Sequence, residues 1–327
     1  MSGGVALTYH ERYSGRGFVP RRASWSRYEL ALRSFERAGL FRRGVRVYRQ
    51  AAADDDELLA VHTRAYLERL AALDASGAGM VDGRQTPAYR GMLFRARIAV
   101  GGTLLASRLV MDGPVRHAFN PGGGLHHAHA DRASGFCLLN DVAVAVRHLE
   151  LRGGAPRVAV LDVDAHHGDG TSALLSDRVL VTSLHEYGGR FFPGTGAAAD
   201  RGLGLALNLP LTRGDGDAEV LDRFARAEEA VRAFRPDLVV LLFGTDAHAA
   251  DPFAHLRVSD AGFAEMAART HRLAHEVCDG RLVALGAGGY EPETVARLWT
   301  ALVAELIADP YGEARAYGEH AIVRDDG

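Results

Sequence analysis

Short apolar runs rich in β-branched residues punctuate the chain, and several lack the polar alternation of a half-exposed strand. They fall at VALTY (5–9), VRVYR (45–49), VRHAF (115–119), RVAVLDV (157–163), RVLVTSL (178–184), LALNLPL (205–211), DLVVLLFG (237–244) and RLVALG (281–286). Such runs suit strands of a parallel sheet covered on both faces. Between them the apolar period changes to three and four residues. From Asp217, read as an N-cap, Leu221, Phe224, Ala227 and Val231 share one helical face. After Asp260, Phe263, Met266, Thr270, Leu273 and Val277 repeat the spacing. Strand–helix alternation over the whole length predicts an α/β fold, a single-domain three-layer α/β/α sandwich spanning 1–327. Its sheet is expected to be mainly parallel, with about eight strands. No linker, repeat or low-complexity tract interrupts the pattern.

In open parallel sheets, ligands bind beyond the carboxyl ends of the strands. Four polar or glycine-rich segments follow candidate strands there: NPGGGLHHAH (120–129), DAHHGDG (164–170), FGTDAH (243–248) and GAGGY (286–290). The densest chemistry lies in VLDVDAHHGDGT (160–171), which gathers Asp162, Asp164, His166, His167 and Asp169 at the end of a very apolar run. Ionised groups are costly to desolvate unless paired or bound to metal. The cluster is therefore solvated, mutually neutralised or built for chemistry.

Asp164 and His166, two apart on a strand leaving its sheet, can aim at one spot, and Asp246 at the end of another strand offers a third ligand. Two carboxylates and an imidazole suit a divalent transition metal with one position left for water: zinc first, with iron(II) or manganese accepting the same ligands. A solvated turn is the simpler account of an isolated Asp-x-His pair. Sharing a sheet end with His126, His127 and Asp169 turns the balance towards metal. Adjacent His126 and His127 would repel if both were protonated, so they need anionic partners or one must stay neutral. Asp162 and Asp169 are the spare carboxylates, and carboxylate–imidazole pairing fixes the tautomer and raises basicity. The plainer alternative is a pair of surface histidines in a glycine loop. Tyr290 closes GAGGY, whose glycines permit close backbone approach and leave the phenol free to donate to a developing oxyanion; alone, it would be read as a turn residue.

Composition narrows the class of protein. With 47% hydrophobic and 24% charged residues the chain is ordinary for a globular protein. A formal net charge of −3 gives no bulk reason to expect nucleic acid. All 38 basic residues are arginine, so the chain has no lysine of its own to be acetylated. The basic stretch Arg12 to Arg49 reads as a solvated helical face before it reads as a partner surface. Two distant cysteines, Cys137 and Cys278, indicate a reducing compartment and no disulfide framework. MSGGVALTYHERYSGRG lacks an apolar signal core, and no apolar run is long enough to span a bilayer. A cytoplasmic enzyme without membrane or nucleic-acid partners is the expectation; oligomeric state is left open.

Five segments in order, GGGLHHAHADRASGFCLLND (122–141), VLDVDAHHGDGTSALL (160–175), VTSLHEYGGRFFPGTG (181–196), LFGTDAHAADP (242–252) and LGAGGYEPETVARLWT (285–300), resemble the histone-deacetylase superfamily. The wording NPGGGLHHAHADRASGFC is similar to its bacterial acetoin-utilization branch, beside the acetylpolyamine amidohydrolases. The resemblance implies an arginase-like parallel sheet and zinc-dependent removal of acetyl groups from amines, with release of acetate. It implies Asp164, His166 and Asp246 as zinc ligands, and His126 and His127 as tandem histidines paired with Asp162 and Asp169 respectively. His127 would be the general base, and Tyr290 would polarise the acetyl carbonyl. Phe136 and Phe192 would wall a substrate tunnel, with Gly135 and Gly288 beside it. Asp162, Asp164, His166, Ser183 and Leu184 would match a structural potassium site. Acetyl-lysine of proteins is the first substrate expected; acetylpolyamines or another small acetylated amine come second.

The sequence also departs from the pattern. Gln85 stands before Thr86-Pro87 where members acting on peptides often carry a rim aspartate, with Asp82 three residues upstream as a substitute. The His-Pro-rich N-terminal segment is blurred into GFVPRRASWSRYE (17–29), which would put Arg27 near an acetate exit. Two rival functions are weighed. A ureohydrolase with two manganese ions shares the fold, and Asp246-x-His248-x-x-Asp251-Pro252 is faintly similar to its motif, but that chemistry needs more carboxylate ligands. A silent acyl-lysine reader would have lost a ligand, a tandem histidine or the tyrosine, and all are present.

Overall fold

Each of the eight apolar runs supplies one strand of a single sheet: β1 (Val5–Thr8), β2 (Val45–Tyr48), β3 (His117–Asn120), β4 (Val158–Asp162), β5 (Leu180–Glu186), β6 (Ala206–Leu211), β7 (Leu238–Leu242) and β8 (Leu282–Leu285). The order is β2-β1-β3-β8-β7-β4-β5-β6, and every neighbouring pair is parallel. The computed structural model describes residues 4–14, 26–83, 86–153 and 156–308. Nine α-helices lie among them: α1 (Ser26–Arg37), α2 (Asp55–Leu59), α3 (Arg64–Ser76), α4 (Met92–Met111), α5 (Asp141–Leu151), α6 (Asp169–Leu175), α7 (Asp217–Phe234), α8 (Asp260–Cys278) and α9 (Pro292–Ile307). The result is the expected α/β sandwich, wholly rather than mainly parallel in its sheet.

Strand β4 shows why continuous apolar runs were required. Ala159 and Leu161 face one helical layer with Phe224 of α7, Phe263 of α8 and Trp299 of α9. Val158 and Val160 face the other, with Ala106 of α4 and Val142 and Val146 of α5. Alternate side chains leave opposite faces of a strand, so both sets must be apolar when both faces are covered.

Four details differ from the expectation. Asp217 is the first residue of α7, not its cap; its carboxylate instead accepts from the Ser259 N–H (2.8 Å) and hydroxyl (2.5 Å), bracing the entry to α8, where Ser259 is the cap. Leu221 and Val277 lie at the edge of their helices' apolar faces, half-buried. Strand β4 ends at Asp162, so Asp164 and His166 belong to the loop beyond it. Strand β7 ends at Leu242, which puts Asp246 in a loop as well. The loops after β3, β4, β7 and β8 meet at the carboxyl end of the sheet. No helix among the described residues is long and apolar enough to cross a membrane, and both cysteines are free and buried.

Candidate active site

Past the end of β4 the chain turns back on its own carboxylates. Asp162 Oδ1 accepts the Asp164 N–H (3.0 Å) and Asp164 Oδ1 accepts the His166 N–H (2.9 Å), which sets the Asp164 and His166 side chains side by side without a strand. The loop after β7 brings Asp246 across; its Oδ1 accepts the Ala165 N–H at 2.9 Å. His166 Nδ1 then lies 3.2 Å from Asp164 Oδ1 and 3.0 Å from Asp246 Oδ2. One donor atom from each residue falls within 4.8 Å of the others.

Whether these residues fit a metal is decided by their electrostatics and by the space around them. Asp164 and Asp246 are fully buried, and the His166 side chain is 12% exposed. Burial, with the like charge of Asp164, raises the Asp246 pKa to about 6. Burial lowers His166, but its hydrogen bonds to Asp164 and Asp246 outweigh that and raise it to about 10. A ring proton is thus held between two facing carboxylates, and a divalent cation would serve there with more charge. The oxygen–nitrogen–oxygen set suits zinc, iron(II) or manganese. A Cβ at Gly288 would collide with carboxylate oxygens of both Asp164 and Asp246, so glycine lets the β8 loop close over the cluster. The residues fit.

The tandem histidines take opposite electrostatic characters from their neighbours. His126 Nδ1 is 2.7 Å from Asp162 Oδ2, and its Nε2 is 3.8 Å from Asp164 Oδ1. His127 Nδ1 is 2.7 Å from Asp169 Oδ1, with ring centroids of the pair 4.0 Å apart. Burial depresses His126, but Asp162 and Asp164 overcome it and raise its pKa to about 9. Burial and the charge of His126 push His127 down to about 4 despite Asp169. One imidazole is therefore cationic and its neighbour neutral, the division acid–base chemistry needs. The glycine loop carrying both is fixed by buried Asp141, whose carboxylate accepts the Gly124 N–H (2.9 Å), the Leu125 N–H (2.7 Å) and the Thr103 hydroxyl (2.5 Å).

Tyr290 is set by Asp251: Oδ2 accepts the Tyr290 N–H (2.7 Å) and Oδ1 the Phe253 N–H (2.9 Å). Burial, then Asp246 and Asp164, raise the Tyr290 pKa well above 10, so it is a neutral donor at any physiological pH. His127, Gly135, Phe136, His166 and Tyr290 line both an outer funnel and an inner cavity and mark the neck between them. Phe192 lines the funnel with its ring edge-to-face to His127 (4.9 Å), and Gly288 lines the cavity. Arg27 also lines the cavity, donating to the carbonyls of Ala287 (3.2 Å) and Gly289 (3.0 Å). Ser183 stands opposite Asp162 in the β4–β5 register, with Leu184 next to it.

Several residues at the site carried no distinctive sequence signal. Phe191, not only Phe192, touches the centre: it stacks on His166 at 4.8 Å and 13°. His129 shares Asp169 at 3.2 Å. Phe253 packs on Tyr290 at 4.3 Å. The DP pair at 251–252 hinted at Asp251, but towards a different metal motif. Asp82, considered as a rim carboxylate, accepts from the Thr86 N–H (3.0 Å) and hydroxyl (2.5 Å) of its own turn. Gln85 and most of GFVPRRASWSRYE lie outside the described residues.

The chain is similar to known proteins in sequence and in fold. The histone deacetylase domain family matches residues 21–306. The chain is 39% identical over 269 residues to the acetoin utilization protein AcuC of Bacillus subtilis (strain 168), covering 76% of this chain and 68% of that protein. It is 38% identical over 264 residues to a histone deacetylase-like amidohydrolase of Pseudomonas aeruginosa, covering 78% and 68%. The crystal structure of the HDA15 HD domain superposes with a TM-score of 0.83 at 28% identity, over 93% of this chain and 90% of that one.

Proposed function

Because the chain belongs to the histone deacetylase family, we propose that it is a zinc-dependent deacetylase that cleaves the amide of an acetylated amine, first of all acetyl-lysine in proteins. The observation that carries this reading is a pair of adjacent imidazoles, each held at Nδ1 by its own aspartate at 2.7 Å, next to a cluster of two carboxylates and an imidazole. Zinc held by Asp164, His166 and Asp246 would supply Lewis acidity towards the acetyl carbonyl and lower the pKa of water.

The chain's own groups do the rest. His127, neutral and held at Nδ1 by Asp169, accepts the proton of the attacking water and returns it to the departing nitrogen, alone or with His126. His126, kept cationic by Asp162, opposes the negative charge that develops in front of it. Tyr290 donates its phenol proton in a hydrogen bond to the oxyanion. A C–O bond forms, the C–N bond breaks, and acetate and a free amine leave. Phe136 and Phe192 hold the linear part of the substrate, with Gly135 and Gly288 allowing its approach. Asp162, Asp164, His166, Ser183 and Leu184 would hold a structural potassium ion beneath the centre.

Gln85 favours a second reading, a small acetylated amine as substrate, because a neutral amide anchors a peptide backbone less strongly than a carboxylate does. A hydrolysis panel of acetyl-lysine peptides, acetylpolyamines and longer acyl-lysines separates the two. The protein reading expects the best kcat/KM on a peptide. Acetylpolyamines ahead of every peptide by orders of magnitude would replace it with the second, and no hydrolysis of any amide by the zinc-loaded protein would end both.

A further inference from the structure

At the opposite end of the sheet, where its strands begin, three more histidines converge. His117 opens β3, and His271 and His275 lie one turn apart on the last stretch of α8, a spacing that puts both on one helical face. One ring nitrogen of each lies within 4.8 Å of the others. The Nε2 atoms of His117 and His275 are 3.1 Å apart, and the ring centroids are 4.6 to 5.1 Å apart. His271 is wholly buried and His117 nearly so. Glu305 of α9 lies 3.1 Å from His271 Nδ1.

We propose that His117, His271 and His275 form a second metal site, structural rather than catalytic, taking zinc or another borderline divalent ion. Zinc–nitrogen bonds of about 2.0–2.1 Å in a tetrahedral site separate neighbouring nitrogens by roughly 3.3 Å. The His117–His275 pair already stands close to that. His271 Nε2 is buried without a hydrogen-bond partner while Nδ1 faces Glu305. A carboxylate behind a ligating imidazole fixes its tautomer and orientation in metal sites. His117 is also neutral, as a ligand must be: burial and its two histidine neighbours depress its pKa to about 3. The hydrogen bond between His117 and His275 leaves the His271 Nε2 unused. An ion would occupy all three rings. It would pin the start of β3 to α8 and, through Glu305, to α9, adding its binding free energy to the stability of the fold.

The test reads metal content and stability on the full chain, stripped with chelator and then dialysed against zinc. The wild type is expected to hold two zinc ions per chain, D164N/D246N one, and H271Q/H275Q one. A wild type with one ion, retained in H271Q/H275Q and lost in D164N/D246N, overturns the second site and leaves the catalytic reading standing. One ion lost in H271Q/H275Q but kept in D164N/D246N overturns the catalytic metal instead. Because His271 is buried and its replacement can disturb folding, the D164N/D246N protein provides a check that leaves the trio intact. Zinc at about a hundred times its Kd should raise that protein's Tm by roughly 4 °C, and cobalt(II) should give visible ligand-field absorption. A Tm unmoved by zinc together with featureless cobalt spectra would dismiss the site.

Discussion

At the carboxyl end of the sheet, His126, His127 and His166 lie against Asp162, Asp164, Asp169 and Asp246; at the amino end, His117, His271 and His275 lie against one another, with Glu305 behind one of them. Both groups are largely desolvated, yet His126 and His166 are pulled one way and His117 the other. Carboxylates raise His126 to about 9 and His166 to about 10, while burial and imidazole neighbours lower His117 to about 3. Burial alone drives a histidine to neutrality, and only nearby acids reverse it. The carboxyl end therefore holds both charge states at once and can move protons. At the amino end His117 is kept neutral, as a metal ligand would have to be.

The largest test of that contrast removes an acid from the upper group. Asp246→Asn or Asp164→Asn should cut acetate release by a thousand-fold or more, equivalent to losing several kcal/mol of transition-state stabilisation, about what a catalytic metal supplies. Activity within tenfold of wild type would show that the acid-lined end is not where amides are cleaved. Next comes Tyr290→Phe, which keeps the ring packing on Phe253 and deletes the donor. We expect kcat to fall by about 10²–10³-fold, as for a lost oxyanion donor, with KM little changed. An unaltered kcat removes Tyr290 from the mechanism.

A third test asks whether burial without acids costs stability as the contrast implies. His62 is buried, accepts the Asn140 N–H at Nε2 (3.1 Å), and has its pKa lowered by burial to about 4 against an ordinary 6.5. Above pH 6.5 it is neutral in both folded and unfolded chains. As pH falls from 6.5 towards 4 the unfolded chain takes up the proton that the folded chain refuses, so folding stability drops, by about 3 kcal/mol at 1.36 kcal/mol per pH unit. Urea unfolding of His62→Gln, which keeps an acceptor for Asn140, should lose that part of the acid slope. An identical slope in the variant would assign the acid sensitivity elsewhere. The smallest effect is expected from Asp251→Asn, which weakens the acceptor holding the Tyr290 and Phe253 backbones: about a tenfold loss of kcat, of the size seen when outer partners of a site are changed. In a Tyr290→Phe background that loss should vanish, since both changes act on one phenol; full additivity would separate Asp251 from the tyrosine.

What was legible beforehand follows from how far apart the interacting residues lie in the chain. Asp162, Asp164, His166 and Asp169 run from the last residue of β4 to the first of α6, so their proximity was visible in eight positions. The two adjacent histidines were equally plain, and the pairing of His126 with Asp162 and of His127 with Asp169 was expected from the family resemblance. The stacking of Phe191 on His166 was not, because neighbouring aromatics in a loop carry no period that ranks them. Nor was the part played by Asp217, whose carboxylate serves the next helix rather than its own.

Taken alone, the chain's apolar runs determined the strands and its three-and-four spacing the helices, because those patterns report on burial within a few residues. The chemistry of each loop was likewise local. Only the tertiary structure decided which loops meet. His166 reaches Asp246 across 80 residues, and His117 reaches His275 across 158. Those meetings depend on the strand order β3-β8-β7-β4, which is settled by how whole helices and strands pack and is written in no single stretch of sequence.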